Sequence, residues 1–117
     1  MSKVMFIDDD GMILKMAGFI MKKCGQQAVT ASSGEEGLRL FGSEKPELVF
    51  VDMEMPGMDG LETLEKLRQI TDAPIYMMSG TVTEELKKRA AELGAGGVID
   101  KPLNAATVSA IVKERCG

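Results

Sequence analysis

Short, wholly apolar runs alternate along the chain with longer stretches in which apolar residues return every three or four positions. Val4-Met5-Phe6-Ile7 is the first run, and its lack of polar alternation marks a strand covered on both faces. Ile13, Met16, Ala17, Ile20 and Cys24 then recur at helical spacing, and Gly25 closes that helix. Gln26 to Thr30 reads as a shorter, weaker strand at a sheet edge. Ser33 with Glu36 has capping-box spacing and opens a helix through Phe41. Leu48-Val49-Phe50-Val51 is the next buried strand, stopped by Asp52. Asp59 and Glu62 cap a helix whose stripe is Leu61, Leu64 and Leu67. Pro74 to Met78 is a fourth strand, with proline at the permitted first position. Thr83-Glu84-Glu85 starts a helix carrying Leu86, Ala90 and Leu93, and Gly94 ends it. Gly97-Val98-Ile99 is a short last strand, and Asn104 caps a final helix with Val108, Ile111 and Val112 inward.

Five strand-helix units in succession predict a parallel sheet covered by helices on both faces. Ligands of such sheets sit beyond the carboxyl ends of the strands, so chemistry is sought in the residues that follow each strand. The first strand ends in Asp8-Asp9-Asp10, the third in Asp52, the fourth in Ser79-Gly80 and the fifth in Asp100-Lys101-Pro102. Taken singly, these are an acidic turn, a cap, a loop pair and a solvated charge. Together they are the residue types that one phosphoryl-transfer site needs. Crowded carboxylates repel one another and call for a cation. An all-oxygen donor set favours Mg²⁺ or Mn²⁺ over Zn²⁺. A lysine and a hydroxyl facing that cation clamp a phosphoryl group, and a carboxylate within the clamp can itself be the nucleophile.

Composition narrows the reading. The chain has 117 residues, enough for one domain, with 44% hydrophobic and 27% charged positions. Its net charge of −4 disfavours nucleic acid and anionic membrane surfaces as partners. The sequence contains no histidine, which removes histidine general bases and histidine metal sites. The apolar stretch near the N-terminus is too short and too soon acidic for a signal peptide or a membrane span, which points to the cytoplasm. Cys24 and Cys116 form no CxxC. They read as two reduced thiols, although both lie at the ends of helices expected on one face of the sheet, where they could approach each other. The ten methionines read as adaptable core filling.

The segments Ile7-Asp8-Asp9-Asp10, Val51-Asp52-Met53-Glu54-Met55-Pro56-Gly57-Met58-Asp59-Gly60, Met78-Ser79-Gly80 and Asp100-Lys101-Pro102 resemble the receiver domain of two-component signalling, the response-regulator family. The resemblance runs the whole length, and DMEMPGMDG is its most specific part. It implies a flavodoxin-like (βα)5 doubly wound sandwich with a five-stranded parallel sheet of order 2-1-3-4-5. It also implies a single receiver domain over residues 1–117, with no output domain in this chain. Asp52 matches the phosphoacceptor. Asp9 matches a direct Mg²⁺ ligand, Asp8 one acting largely through water, and the backbone carbonyl of Glu54 a further ligand. Ser79 matches the switch hydroxyl and Lys101 the family's lysine, with a cis peptide implied before Pro102. The phosphodonor implied is a histidine kinase or a histidine phosphotransfer protein, and the output is a surface change read by a protein target. The domain is expected to catalyse its own phosphorylation and dephosphorylation rather than to turn over a substrate. The side chain of Glu54 is expected to lean over the mouth of the site, where its charge slows small anionic donors.

Two positions depart from the family pattern. Gly11 stands where many receivers have proline, and Val98 where the family often has a tyrosine or phenylalanine that gates the output surface. Asp8-Asp9-Asp10-Gly11 also resembles the signature of haloacid-dehalogenase-like phosphatases, with Asp8 as nucleophile and Asp10 as general acid/base. Met12 in place of threonine and the absence of an acid pair after Lys101 tell against that reading, and it leaves Asp52 unexplained.

Overall fold

The computed structural model describes residues 1–116. It contains β1 (Lys3–Ile7), α1 (Gly11–Lys23), β2 (Gln27–Ala31), α2 (Gly34–Glu44), β3 (Leu48–Asp52), α3 (Gly60–Arg68), β4 (Ile75–Ser79), α4 (Glu84–Glu92), β5 (Gly97–Asp100) and α5 (Ala105–Cys116). The strands form one parallel sheet in the order β2-β1-β3-β4-β5, as expected. Successive strand residues point to opposite faces, and the sheet divides the apolar side chains accordingly. Val4, Phe6, Leu48, Phe50, Tyr76 and Met78 pack under α1 and α5. Met5, Ile7, Val49, Val51, Ile75 and Met77 pack under α2, α3 and α4. Every residue of β3 and β4 is buried, which accounts for their unbroken apolar runs.

Register partners across β1, β3 and β4 form an aromatic ladder. The Phe6 and Phe50 rings stack with centroids 4.8 Å apart, and Phe50 meets Tyr76 at 5.9 Å. Tyr76 in turn accepts a hydrogen bond at its hydroxyl from Arg115 Nε at 3.0 Å, tying α5 to the sheet.

The helix starts follow the expected chemistry. Asp10, Ser33, Asp59 and Thr83 each accept a backbone N–H at the head of α1, α2, α3 and α4. Asn104 Oδ1 does the same for the amides of Ala106 and Thr107 at the head of α5, at 2.8 and 3.1 Å.

Three differences from the sequence reading have physical causes. The inward face of α1 is Ile13, Ala17, Ile20 and Met21, while Met16 is exposed. Apolar residues ring this helix, so periodicity alone does not fix which face is covered. Helix α2 continues past Phe41 to Glu44 and stops where Lys45 turns left-handed, at φ 48°. Asp52 and Ser79 are the last ladder residues of β3 and β4 rather than the loop residues after them, paired respectively with Met78 and Asp100. Cys24 and Cys116 are both free and half-buried. The Cys24 sulfur lies 3.3 Å from the Ser109 hydroxyl, while Cys116 lies beside Ser2 and Glu47.

The turn between β3 and α3 is held without slack. Gly57 adopts φ +75°, a conformation that favours glycine. Gly60 packs flat against the backbone of Asp52 and Met53; a Cβ there would collide with the Asp52 carbonyl and stand 2.7 Å from Met53 Cα. Gly60→Ala is therefore expected to destabilise the fold by about 2–4 kcal/mol, because backbone cannot yield as a side chain does. Gly42→Ala, in an exposed part of α2 with open space around it, should instead stabilise by about 0.5–1 kcal/mol. Urea melts of the two variants against the parent chain measure both effects, and equal effects would refute the close-packing account.

Candidate functional site

Four chain segments meet at the carboxyl ends of the strands. Asp8 follows β1 directly; its amide donates to the Ala31 carbonyl at 3.0 Å, continuing the ladder and holding the side chain inward. Asp8 and Asp52 are buried completely, while Asp9 is exposed. One carboxylate oxygen from each of Asp8, Asp9 and Asp52 lies within 4.8 Å of the other two. Lys101 reaches this cluster from β5. Its backbone amide donates to the Ser79 carbonyl at 2.9 Å, and the bond to Pro102 is cis.

The Lys101 ammonium is shared. It donates to Asp52 Oδ1 at 3.1 Å and lies 3.1 Å from Asp8 Oδ2, an ion pair without hydrogen-bond alignment. Asp8 Oδ1 accepts the Asp10 amide at 2.9 Å, and Asp52 Oδ1 also accepts the Glu54 amide at 3.3 Å. Asp52 Oδ2 is buried with no hydrogen-bond partner among the described residues. Buried carboxylate oxygens are rarely left so, and the cost is appreciable.

Three carboxylates around one ammonium leave net negative charge in a poorly solvated place. Burial pushes the Asp52 carboxyl up to about 6, and the Asp8 charge adds to this; the hydrogen bonds from Lys101 and the Glu54 amide pull the other way. Burial works to lower Lys101, but its hydrogen bond to Asp52, the nearby Asp8 carboxylate and the charges of both outweigh this and hold it above its ordinary value. Lys101 is thus firmly charged at neutral pH.

The donor set fits a hard divalent cation. It offers oxygen only, it carries excess negative charge, and it includes the unpartnered Asp52 Oδ2 and the poorly aligned Asp8 Oδ2. Asp8, Asp9 and Asp52 are the side chains that could hold such an ion.

Ser79 and Glu54 form a second group beside the first. The Ser79 hydroxyl, also buried, lies 3.0 Å from Glu54 Oε2 and 3.0 Å from the Thr81 carbonyl, and it accepts the Thr81 amide at 3.1 Å. Thr81 had no signal in the sequence, because the tight turn after Ser79 brings in its backbone and leaves its side chain unused. Asp10 is engaged otherwise: its carboxylate caps α1 through the Met12 amide at 2.9 Å. Val98 is half-buried in the cluster under α4, and Gly11 begins α1 with open space around it.

The family model describing the response regulator receiver domain matches residues 4–113. The alkaline phosphatase synthesis transcriptional regulatory protein PhoP of Bacillus subtilis (strain 168) is 35% identical over 112 residues, covering 95% of this chain and 47% of that protein. The chain thus spans about half the length of such curated relatives. Among solved structures, the Vibrio cholerae chemotaxis protein CheY4 superposes with a TM-score of 0.91 at 28% identity, covering 98% of each chain. A chain of the CheX–CheY complex with BeF3 and Mg²⁺ from Borrelia burgdorferi gives a TM-score of 0.90 at 29% identity, covering 97% of this chain and 87% of that one. Among the described residues, no helix is long and apolar enough to cross a membrane.

Between about pH 4 and 6 the folded chain binds more protons at Asp52 than the unfolded chain does, so this residue's contribution to stability is lost as pH rises through that window. In EDTA, Asp52→Asn should therefore be more stable than the parent at pH 7 by about 1–3 kcal/mol, and the gap should close towards pH 4. Urea melts at a series of pH values test this; a gap independent of pH would show that the carboxyl titrates normally.

Proposed function

The chain belongs to the response regulator receiver domain family, and from that membership we propose that it is a phosphorylation switch whose phosphoacceptor is Asp52. The observation that carries the reading is the state of that carboxylate. It is buried at the end of the central strand β3, with one oxygen held by Lys101 and the other unpartnered. An oxygen with no hydrogen bond keeps its lone pairs for the cation or for attack, and the bond held at Oδ1 fixes the plane of the carboxylate.

In the reaction proposed, an Asp52 oxygen forms a bond to phosphorus while the phosphorus–nitrogen bond of a donor phosphohistidine, protonated on its other ring nitrogen, breaks and leaves neutral imidazole on the donor protein. The chain has no histidine of its own, so that donor is a histidine kinase or a histidine phosphotransfer protein. Lys101 stands where charge on the transferring group has to be offset, 3.1 Å from Asp52. Asp8, Asp9, Asp52 and the Glu54 carbonyl would hold Mg²⁺, or Mn²⁺ in its place, which supplies charge neutralisation for an anionic donor. Ser79 is the hydroxyl proposed to answer the new phosphoryl group, and it carries the loop after β4 with it. Because Val98 has no ring, the signal is proposed to leave through that loop to a protein target in the cytoplasm. The acidic surface of the domain disfavours nucleic acid or membrane as that target.

Incubation with acetyl phosphate or phosphoramidate and Mg²⁺ should add one phosphoryl group to the parent chain, and Asp52→Asn should take up none, as read by intact-protein mass. Asp9→Asn should still be labelled but need on the order of tenfold more Mg²⁺, the worth of ~1.4 kcal/mol of lost charge attraction. Normal labelling of Asp52→Asn would sink the assignment, and an unchanged Mg²⁺ dependence of Asp9→Asn would move the metal elsewhere.

A further inference from the structure

Resting on the reading of Asp52 as phosphoacceptor, we propose that the Glu54 side chain is a positioning residue that competes with the phosphoryl group for the Ser79 hydroxyl. In the unphosphorylated chain Glu54 holds that hydroxyl, and labelling of Asp52 has to displace it.

The starting point is the single proton of Ser79. The buried hydroxyl has two acceptors at 3.0 Å, Glu54 Oε2 and the Thr81 carbonyl. It can donate to one of them at a time, and a charged acceptor makes the stronger bond. The other Glu54 oxygen faces the Gly80 amide at 3.5 Å. One carboxylate therefore spans the hydroxyl and the amide at the carboxyl end of β4. Asp52 ends the neighbouring strand β3, with Met78 as its register partner. An anion attached to Asp52 draws on the same hydroxyl, and Glu54 already has it.

Glu54 can yield where the other carboxylates cannot. Its residue is exposed, whereas Asp8 and Asp52 are wholly buried. Its backbone amide donates a hydrogen bond to Asp52 Oδ1 at 3.3 Å, which leaves the side chain as the part free to swing out. A phosphoryl group brings close to two negative charges beside Asp8, Asp9 and Glu54, and the repulsion drives out the most mobile of them. Phosphorylation then costs the loss of the Glu54–Ser79 bond, and the gain is a hydroxyl handed from one anion to another.

A charge acting through space at the mouth of the site would slow an anionic donor whether or not Ser79 has its hydroxyl. A competitor acts only through the hydroxyl, and this separates the two. The experiment follows phosphoramidate labelling at saturating Mg²⁺ and high ionic strength, which screens distant charge. In it the Asp52 oxygen–phosphorus bond forms as the phosphorus–nitrogen bond to departing ammonia breaks. Glu54→Ala, and also Glu54→Asp, which keeps the charge but is one methylene too short to reach Ser79, should label about three- to tenfold faster than the parent. In a Ser79→Ala background the same changes should have no effect. A parental rate for Glu54→Asp, or equal acceleration with and without the Ser79 hydroxyl, would overturn the competition. Amide exchange without donor reads the contact itself: the Gly80 and Thr81 amides should exchange faster in Glu54→Ala, and unchanged exchange would also overturn it. No labelling of the parent chain would overturn the phosphoacceptor reading, and the competition with it, even where those amides respond.

Discussion

The site depends on one ammonium shared between two fully buried carboxylates. Lys101 sits 3.1 Å from both Asp8 and Asp52, which come from the ends of different strands. Taking any of these charges out of water is costly, and removal of the lysine would leave two like charges facing each other in a dry place. The same ammonium ties together the ends of β1, β3 and β5, so the chemistry and the upper rim of the sheet are one structure. The balance is deliberately incomplete. With Asp9 alongside and Asp52 Oδ2 unpartnered, the cluster remains short of positive charge. That deficit suits the cluster to a divalent cation rather than to a self-contained structural ion pair.

Holding this arrangement requires strand ends that do not move. Strands β3 and β4 are buried along their whole length, and the ladder of Phe6, Phe50 and Tyr76 fixes the register between the strands that carry Asp8, Asp52 and Ser79. Gly60 brings α3 against the backbone of Asp52 itself. The carboxylate is thus braced by the sheet on its sides and by the head of a helix behind it. Precise placement of a few charged atoms is achieved by close packing of many apolar ones.

Most of the frame was legible because single residues carry unambiguous local physics. Unbroken apolar runs such as Leu48 to Val51, short and rich in β-branched and aromatic residues, favour a doubly covered strand. Ser33, Asp59, Thr83 and Asn104 satisfy helix amides at the places their chemistry favours, whereas the capping role of Asp10 was hidden in a run of three acids. The convergence of Asp8, Asp9, Asp52 and Lys101 was legible for a topological reason: in a parallel sheet every residue after a strand lies on the same rim. What was not legible depends on packing between elements. Met16 and Met21 are alike in a helix that is apolar nearly all round, and only the sheet decides that Met21 goes inside. The aromatic ladder needs the register between strands. The role of Thr81 belongs to its backbone and leaves no mark in the residue type.

The rim also has a rigid half and a yielding half, and burial tells them apart. Asp8, Asp52 and Lys101 belong to the rigid half, locked by the sheet and by one another. Ser79 is the last fixed residue on the other side. Beyond it Gly80, Thr81 and the residues up to Thr83 are exposed or half-exposed, and in α4 Ala90 alone is buried among the described residues. Helix α1, by comparison, buries Ile13, Ala17, Ile20 and Met21. Local stability follows buried apolar contact, so α4 and the loop before it sit at the low end of the molecule's range. A phosphoryl group at Asp52, as proposed, would meet a stiff wall in β1, β3 and Lys101, and compliance on the side of the Ser79 hydroxyl. The direction in which the domain can respond is therefore set by where the core is thin.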